Sequence, residues 1–348
     1  MKLREYKQMA HARKWMKKNM PILTTWHAYV GYELDLFTTF KKPISLQTAA
    51  DQRNLSQDLL ARWVDVGLAV GHLKEKQQLI QVKNYNKMPV KKTKTNMSGI
   101  LLKEMMELHI PTLLSYPELM RQKSKQEFNA DKHGEIVAET SSLLEGLALK
   151  KLYKVVKKRN SQSVLDIGCG HGGYLSKLAE KFPELSLTGI DINETVIEEA
   201  KHRNANQNIR FMNENVMSMP QTEERFDIVM MNNVFHYIAP SQRQKLFEKA
   251  AQLLSPNGQL FIVTPIKNPK HGKPFSSAFN SFFTAFENLY PLPSAKEIHQ
   301  FSKTAHTKPV NSTSIVREGG WYVFILENKR KEVAMLKPIT TQTRVPVK

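Results

Sequence analysis

The feature that most constrains this chain is the decapeptide Val164-Leu-Asp-Ile-Gly-Cys-Gly-His-Gly-Gly173. An aliphatic run feeds a tight turn that opens a helix. Gly168, Gly170 and Gly172 or Gly173 supply the backbone freedom that lets a ligand approach the main chain. An ordinary strand-to-helix turn explains one glycine, but not four in the six residues 168–173. About twenty residues later a second strand, LSLTGIDI (185–192), ends in Asp191, spaced to hydrogen-bond a ribose diol. Turn and acid together point to a nucleoside-containing cofactor. Gly168-x-Gly170-x-x-Gly173 also satisfies the dinucleotide fingerprint, so the spacing leaves the cofactor open.

The surrounding chain predicts an α/β fold. VLDIGCG (164–170), LSLTGIDI (185–192), IRFMNENV (209–216), FDIVMMNNV (226–234) and GQLFIVTP (258–265) read as strands, and 310–327 supplies the last ones. They alternate with helical stretches, which argues for a doubly wound, mostly parallel sheet. The expected domains are a basic amphipathic helix over 1–20, a helical domain over 21–139, the sheet domain over 140–328 with a Phe-rich insertion at 268–309, and a basic tail over 329–348. Met9, Trp15, Met16 and Met20 are the apolar members of the first helix. In the second domain Pro21 opens a helix, Ser45 and Ser56 stand at N-cap positions, Gly71 ends a helix, and HLK and LIQV read as a hairpin. That order is the order of a winged-helix unit.

Composition narrows the class. With one cysteine there is no intrachain disulfide framework and no Cys-rich zinc site, and the histidines show no i, i+4 pair, so no metal is expected. The N-terminus lacks the apolar core of a secretory signal, and no apolar run is long enough to span a membrane, which predicts a cytoplasmic protein. The net charge of +19 is segmental: residues 1–20 carry +6, 74–103 carry +7, 267–273 carry +3 and 329–348 carry +5. Lysine blocks of this kind read first as solvated surface, so nucleic acid is not the favoured partner.

The glycine turn closely resembles the first motif of class I S-adenosylmethionine-dependent methyltransferases. The resemblance continues in order: Gly189-Ile-Asp191 at the end of the second strand, Asn215-Val216 beside the adenine position, Phe226-Asp227-Ile-Val with NNVFHY as the fourth motif, and Leu253-Leu254-Ser-Pro-Asn-Gly258 before the fifth strand. It implies a Rossmann-like methyltransferase fold using S-adenosylmethionine and releasing S-adenosylhomocysteine. Carried across, Asp166 helps hold the cofactor's ammonium and Gly168, Cys169, Gly170 and Gly172 pass along its methionine part. Asp191 takes the ribose hydroxyls. Asn215 accepts from the adenine amine while Val216 donates its backbone N–H, and Ile192 and Asn232 complete the set. Cys169 reads as a small buried residue.

A winged-helix-like domain ahead of a methyltransferase domain is the layout of the small-molecule O-methyltransferases, where the first domain dimerises and helps roof the substrate. The resemblance therefore implies a homodimer and a small, apolar or aromatic acceptor methylated at oxygen. The would-be recognition helix, Gln57–Gly71, carries Asp58 and Asp65 against Arg62, and its Leu59, Leu60, Trp63, Val64, Val66, Leu68 and Val70 suit packing better than DNA reading. His236 aligns with the family's catalytic histidine, whose following acid and Trp are here Tyr237-Ile238; a general base and a packing histidine are equal readings. Phe275, Phe279, Phe282, Phe283, Phe286 and Tyr290 recur at helical spacing over 274–293. A core-facing helix, a lid over an apolar acceptor and peripheral membrane contact beside Lys267, Lys270 and Lys273 are the alternatives. The competing functions are an RNA methyltransferase and a non-catalytic winged-helix binding protein with a nucleoside sensor site.

Overall fold

The computed structural model describes residues 3–91, 97–220 and 222–329. Of the basic tail only Lys329 is described, and Lys92 and Lys94 of the second basic run also lie outside the described residues. The chain divides into two units, 1–121 with 129–143, and 122–128 with 144–348.

The first unit contains α1 (Leu3–Asn19), α2 (Pro21–Glu33), α3 (Leu36–Thr39), α4 (Leu46–Arg53), α5 (Gln57–Ala69), β1 (Leu73–Lys76), β2 (Leu79–Val82), α6 (Met97–Glu104), a π turn over Met105–His109, and α7 (Ile110–Leu114). α8 (Tyr116–Gln122) follows. The starts obey local chemistry. Pro21 occupies the first turn of α2, and Ser45 Oγ accepts from Thr48 N at 3.1 Å while Ser56 Oγ accepts from Leu59 N at 3.5 Å. Gly71, at φ +77°, follows the end of α5. Gln77 and Gln78 hold the hairpin turn at φ +52° and +60°, the sign a two-residue hairpin needs, and Leu73 pairs with Val82. The core gathers Leu36, Phe37, Phe40, Leu60, Trp63 and Ile80. Leu59, expected among the packing residues of α5, is instead exposed, because it lies off the face carrying Leu60, Trp63 and Val64. Met9, Trp15 and Met16 of α1, and Met20 just after it, are exposed as well.

α9 (Ala130–Arg159) begins in the first unit and ends in the second. The change of unit therefore falls inside a helix, between Leu143 and Leu144. Segment 122–128, expected with the first domain, clusters with the second unit because its backbone is tied there: Gln126 N donates to Ala285 O at 2.9 Å and Glu287 N to Gln126 O at 2.8 Å.

Seven strands of the described residues form one sheet: β3 (Ser163–Ile167), β4 (Ser186–Asp191), β5 (Ile209–Asn213), β6 (Phe226–Asn232), β7 (Leu254–Pro265), β8 (Thr307–Val316) and β9 (Trp321–Asn328). Their order is β5-β4-β3-β6-β7-β9-β8, parallel from β5 to β7, with β9 antiparallel to both its neighbours. The helices α10 (Gly173–Lys181), α11 (Glu194–Arg203), α12 (Arg243–Gln252), α13 (Lys273–Thr284) and α14 (Ala295–Thr304) connect or flank the strands. Because β4 and β5 lie on one side of β3 and β6 and β7 on the other, the order reverses between β3 and β6. The carboxyl ends of those strands are where such a sheet opens a crevice. The central strands are buried along most of their length, as a helix-covered parallel sheet requires.

The Phe-rich helix is shorter than its spacing predicts. α13 ends at Thr284, and Phe286 lies beyond it beside the Gln126 bridge. Phe279, Phe282, Phe283 and Phe286 are buried and Phe275 is exposed. In this chain the core-facing reading of the stripe accounts for most of its phenylalanines.

In the first unit His27 is fully buried, stacked on Trp63 with ring centroids 4.1 Å apart, and its Nδ1 lies 2.9 Å from Nδ1 of His72. Burial, and then the neighbouring His72, lower its pKa to about 3. The unfolded chain, with an ordinary histidine, binds the extra proton first, so stability is full above about pH 6.5 and falls as the pH drops toward 3. Between about pH 6.5 and 5 this costs about 2 kcal/mol. Urea unfolding at pH 7 and pH 5 is expected to give a change with pH that differs by about 2 kcal/mol between the wild type and His27→Gln, the wild type losing more; equal pH slopes would refute it.

Candidate functional site

The site is built at the reversal between β3 and β6. β3 delivers Asp166 one residue before its end, and the chain then turns through Gly168, Gly170 and Gly172 at φ +72°, +54° and +79°. These are left-handed conformations that favour glycine. Gly168 N and Cys169 N donate to Ile190 O at 2.8 and 3.1 Å, which fastens the turn to β4. A Cβ on Gly172 would stand 2.6 Å from Phe211 Cζ and one on Gly168 would stand 2.8 Å from Val234 Cγ2. At Gly170 a Cβ would meet nothing within 4 Å. The turn is thus packed from behind at two glycines and open at the third, the shape of a backbone edge offered to a ligand. Cys169 is buried and its Sγ fills the space beside Gly189; burial pushes its thiol up, so it stays protonated and serves as filler.

Asp191 ends β4. Its Oδ2 accepts from Gly170 N at 3.1 Å and its Oδ1 from Asn193 N at 3.0 Å, so one carboxylate braces both the glycine turn and the start of α11. Each oxygen keeps a further lone pair for a hydroxyl donor. Ile192 beside it is exposed. Asn215 is exposed too, but its Oδ1 accepts from Met217 N at 2.9 Å and its main-chain oxygen from Ser218 N and Met219 N. The side chain caps its own turn and has one acceptor position left. Val216 is buried in the main core.

Asp166 is buried, and Asn232 Nδ2 donates to its Oδ1 at 3.4 Å. Burial, then the charges of Glu145 and Asp191, raise its pKa to about 8, with the Asn232 hydrogen bond pulling the other way. Asn232 Oδ1 is buried and finds no hydrogen-bond partner among the described residues. This end of the crevice is acidic and holds a spare acceptor. A cationic ligand fits it, and a phosphate does not.

His236 follows β6 in a short turn. It is buried, stacked on Phe283 with centroids 4.4 Å apart, and its Nδ1 finds no partner among the described residues. Burial, with the nearby Arg243 adding to it, holds its pKa at about 3, so it is neutral at physiological pH. The turn is gripped by Arg243, which sequence reasoning missed: Nε donates to Ile238 O at 3.0 Å and a terminal nitrogen to Phe235 O at 2.8 Å and Pro291 O at 2.5 Å. Asn233, at φ +55°, accepts from Trp321 Nε1 at 3.2 Å, and Trp321 packs on Phe279 with centroids 4.8 Å apart. His236, Phe283, Phe279 and Trp321 thereby form a continuous aromatic wall next to the end of β6.

Comparison with known proteins places this architecture. Residues 164–258 match the family described as "Methyltransferase domain". The whole fold is similar to an O-methyltransferase family protein from Burkholderia thailandensis (16% identity, TM-score 0.67, covering 91% of this chain and 98% of that one). It is also similar to human N-acetylserotonin methyltransferase, solved in complex with SAM (12% identity, TM-score 0.67, covering 91% and 97%). By sequence, the chain is 33% identical over 109 residues to a ubiquinone biosynthesis O-methyltransferase of Coxiella burnetii, covering 31% of this chain and 45% of that protein. The chain spans about half the length of the curated relatives it matches. The stretch that matches the methyltransferase family model lies within the sheet unit.

The glycines make separable predictions. Gly172→Ala drives a methyl into Phe211 in a left-handed conformation and is expected to lower stability by about 2–3 kcal/mol. Gly170→Ala carries only the backbone cost, about 1 kcal/mol. Thermal unfolding checks the order, and a Gly170→Ala protein less stable than Gly172→Ala would refute it.

Proposed function

We propose that the chain transfers a methyl group from S-adenosylmethionine to oxygen of a small apolar or aromatic acceptor, working in the cytoplasm as a homodimer. The observation that carries this reading is the acidic, glycine-lined end of the crevice, where Asp166, Asp191 and the spare carbonyl oxygen of Asn232 suit a cationic adenosyl amino acid. When bound, S-adenosylmethionine supplies an activated methyl group on a sulfonium sulfur. The protein's part is then chiefly to position two reactants and exclude water.

Asp191 offers its remaining lone pairs to the ribose hydroxyls and Asp166 faces the amino-acid end. Gly168, Gly170 and Gly172 keep the main chain accessible between them, and Ile192, Val216 and Asn215 flank the base. His236, neutral and shielded, accepts a hydrogen bond from the acceptor hydroxyl; as a weak base it orients that group more than it ionises it. The wall of Phe283, Phe279 and Trp321 favours a flat apolar acceptor. The O-methyltransferase names among the relatives support oxygen as the target. The helix–helix–helix–hairpin order of the first unit supports a winged-helix-like dimerisation role, and Trp15, Met16, Met20 and Ile22, exposed along α1 and α2, support self-association. On α5 Arg62 is paired with Asp65 at 2.8 Å, which argues against use of that helix on DNA.

Calorimetric titration with S-adenosylhomocysteine and, in parallel, NAD tests the reading. Micromolar binding of the first and none of the second is expected; the reverse, or binding of neither, would overturn it. Asp191→Ala is expected to abolish binding while thermal unfolding stays cooperative. His236→Ala is expected to lower kcat at least tenfold with S-adenosylhomocysteine affinity unchanged. Since His236 titrates near pH 3, the wild-type rate is expected to show no His236 inflection between about pH 5 and 7. An inflection near pH 6.5 that His236→Ala removes would contradict that assignment.

A further inference from the structure

Glu145 belongs to no motif. It sits on α9, well ahead of the glycine turn in sequence, yet its carboxylate lies over the first residue of α10: a Cβ on Gly173 would stand 2.6 Å from Glu145 Oε1. Oε2 takes Lys177 Nζ, one turn further along α10, at 2.8 Å. Glu145 thus brings a third carboxyl to Asp166 and Asp191 at the end of β3, and its charge is felt by both Asp166 and Tyr174.

Two further observations point to a ligand there. Asn232 Oδ1 is buried against the Asp166 carboxyl with no hydrogen-bond partner among the described residues, and the buried Tyr174 hydroxyl has none either. A buried carbonyl left unpaired costs about 1–3 kcal/mol, a cost that a bound donor removes. Glu145, Asp166 and Asn232 Oδ1 offer three acceptors about the end of β3 and the glycine turn, as many as a primary ammonium has donors. Lys177, the cation beside them, is already paired with Glu145, and Glu145 has an oxygen left over.

We propose that Glu145 is a specificity residue of the cofactor site, receiving with Asp166 and the Asn232 carbonyl oxygen the α-ammonium of an adenosyl amino acid. The inference rests on the reading above and adds to it a residue contributed by the helix before the sheet. It means that affinity for the amino-acid end of the cofactor is set from α9, whereas affinity for the nucleoside end is set from β4 and the turn.

The test is calorimetric titration of the full chain with two probes, S-adenosylhomocysteine and 5′-methylthioadenosine, which keeps the nucleoside and lacks the amino acid. Glu145→Gln is expected to weaken S-adenosylhomocysteine about tenfold, the size of one charge-assisted hydrogen bond, and to leave methylthioadenosine unchanged. Lys177→Met breaks the same ion pair from the other side and is expected to leave S-adenosylhomocysteine as tight as before or tighter. No loss in Glu145→Gln, an equal loss for both probes, or the same loss in Lys177→Met would overturn the proposal and reduce Glu145 to a packing partner. Failure of the cofactor reading itself is seen separately, in a wild type that binds neither probe, and it takes this proposal with it.

Discussion

Burying a carboxyl group at the tip of β3 is the constraint around which the rest of the site is arranged. Asp166 has no ion-pair partner among the described residues; its direct hydrogen bond is a long one from Asn232, and its acidic neighbours Glu145 and Asp191 oppose its ionisation. A buried group in that condition is tolerated when it is protonated or when a ligand supplies the missing charge. The neighbouring strand end repeats the theme with more support, since Asp191 is held by two backbone amides. The sheet order makes this possible: with β4 on one side of β3 and β6 on the other, two carboxyls and an amide from three strands converge without any loop having to carry them.

The two halves of the crevice differ in kind. Around the glycine turn the determinants are charge and hydrogen bonding, fixed by strand ends and backbone. Past β6 they are shape and aromatic surface, with His236 lodged against Phe283 and the turn beneath it clamped by Arg243 through three carbonyl oxygens. A planar guanidinium with several fixed donors suits that clamp; an ammonium on a flexible stem does not. Charge and hydrogen bonding thus sit at one end of the crevice and aromatic surface at the other.

What the sequence made legible follows the range of the interaction. The glycine turn and Asp191 are readable because backbone conformation and strand-to-strand spacing demand those residues locally. Strands β3, β4, β6 and β7 are readable because burial on both faces demands aliphatic runs, and the caps at Ser45 and Ser56 because one side chain meets one amide a turn away. The limits are equally physical. Phenylalanine spacing continues past Thr284, where the backbone leaves the helix to meet Gln126, a partner far away in sequence. Asn215 stands at the adenine position of the resembled motif, in place of its more usual acid, while its oxygen serves its own turn. Glu145, Tyr174 and Arg243 reach the site through tertiary packing, for which a single sequence holds no sign.

α9 runs without interruption from one unit into the other, and Glu145 lies on it just after the change of unit. In evolutionary terms this removes the simplest route to new combinations, the exchange of a front domain through a crossover in a loop. Any such recombination in this chain has to break a helix or carry it whole. The residues of α9 that meet the glycine turn are therefore inherited with whichever side keeps the helix.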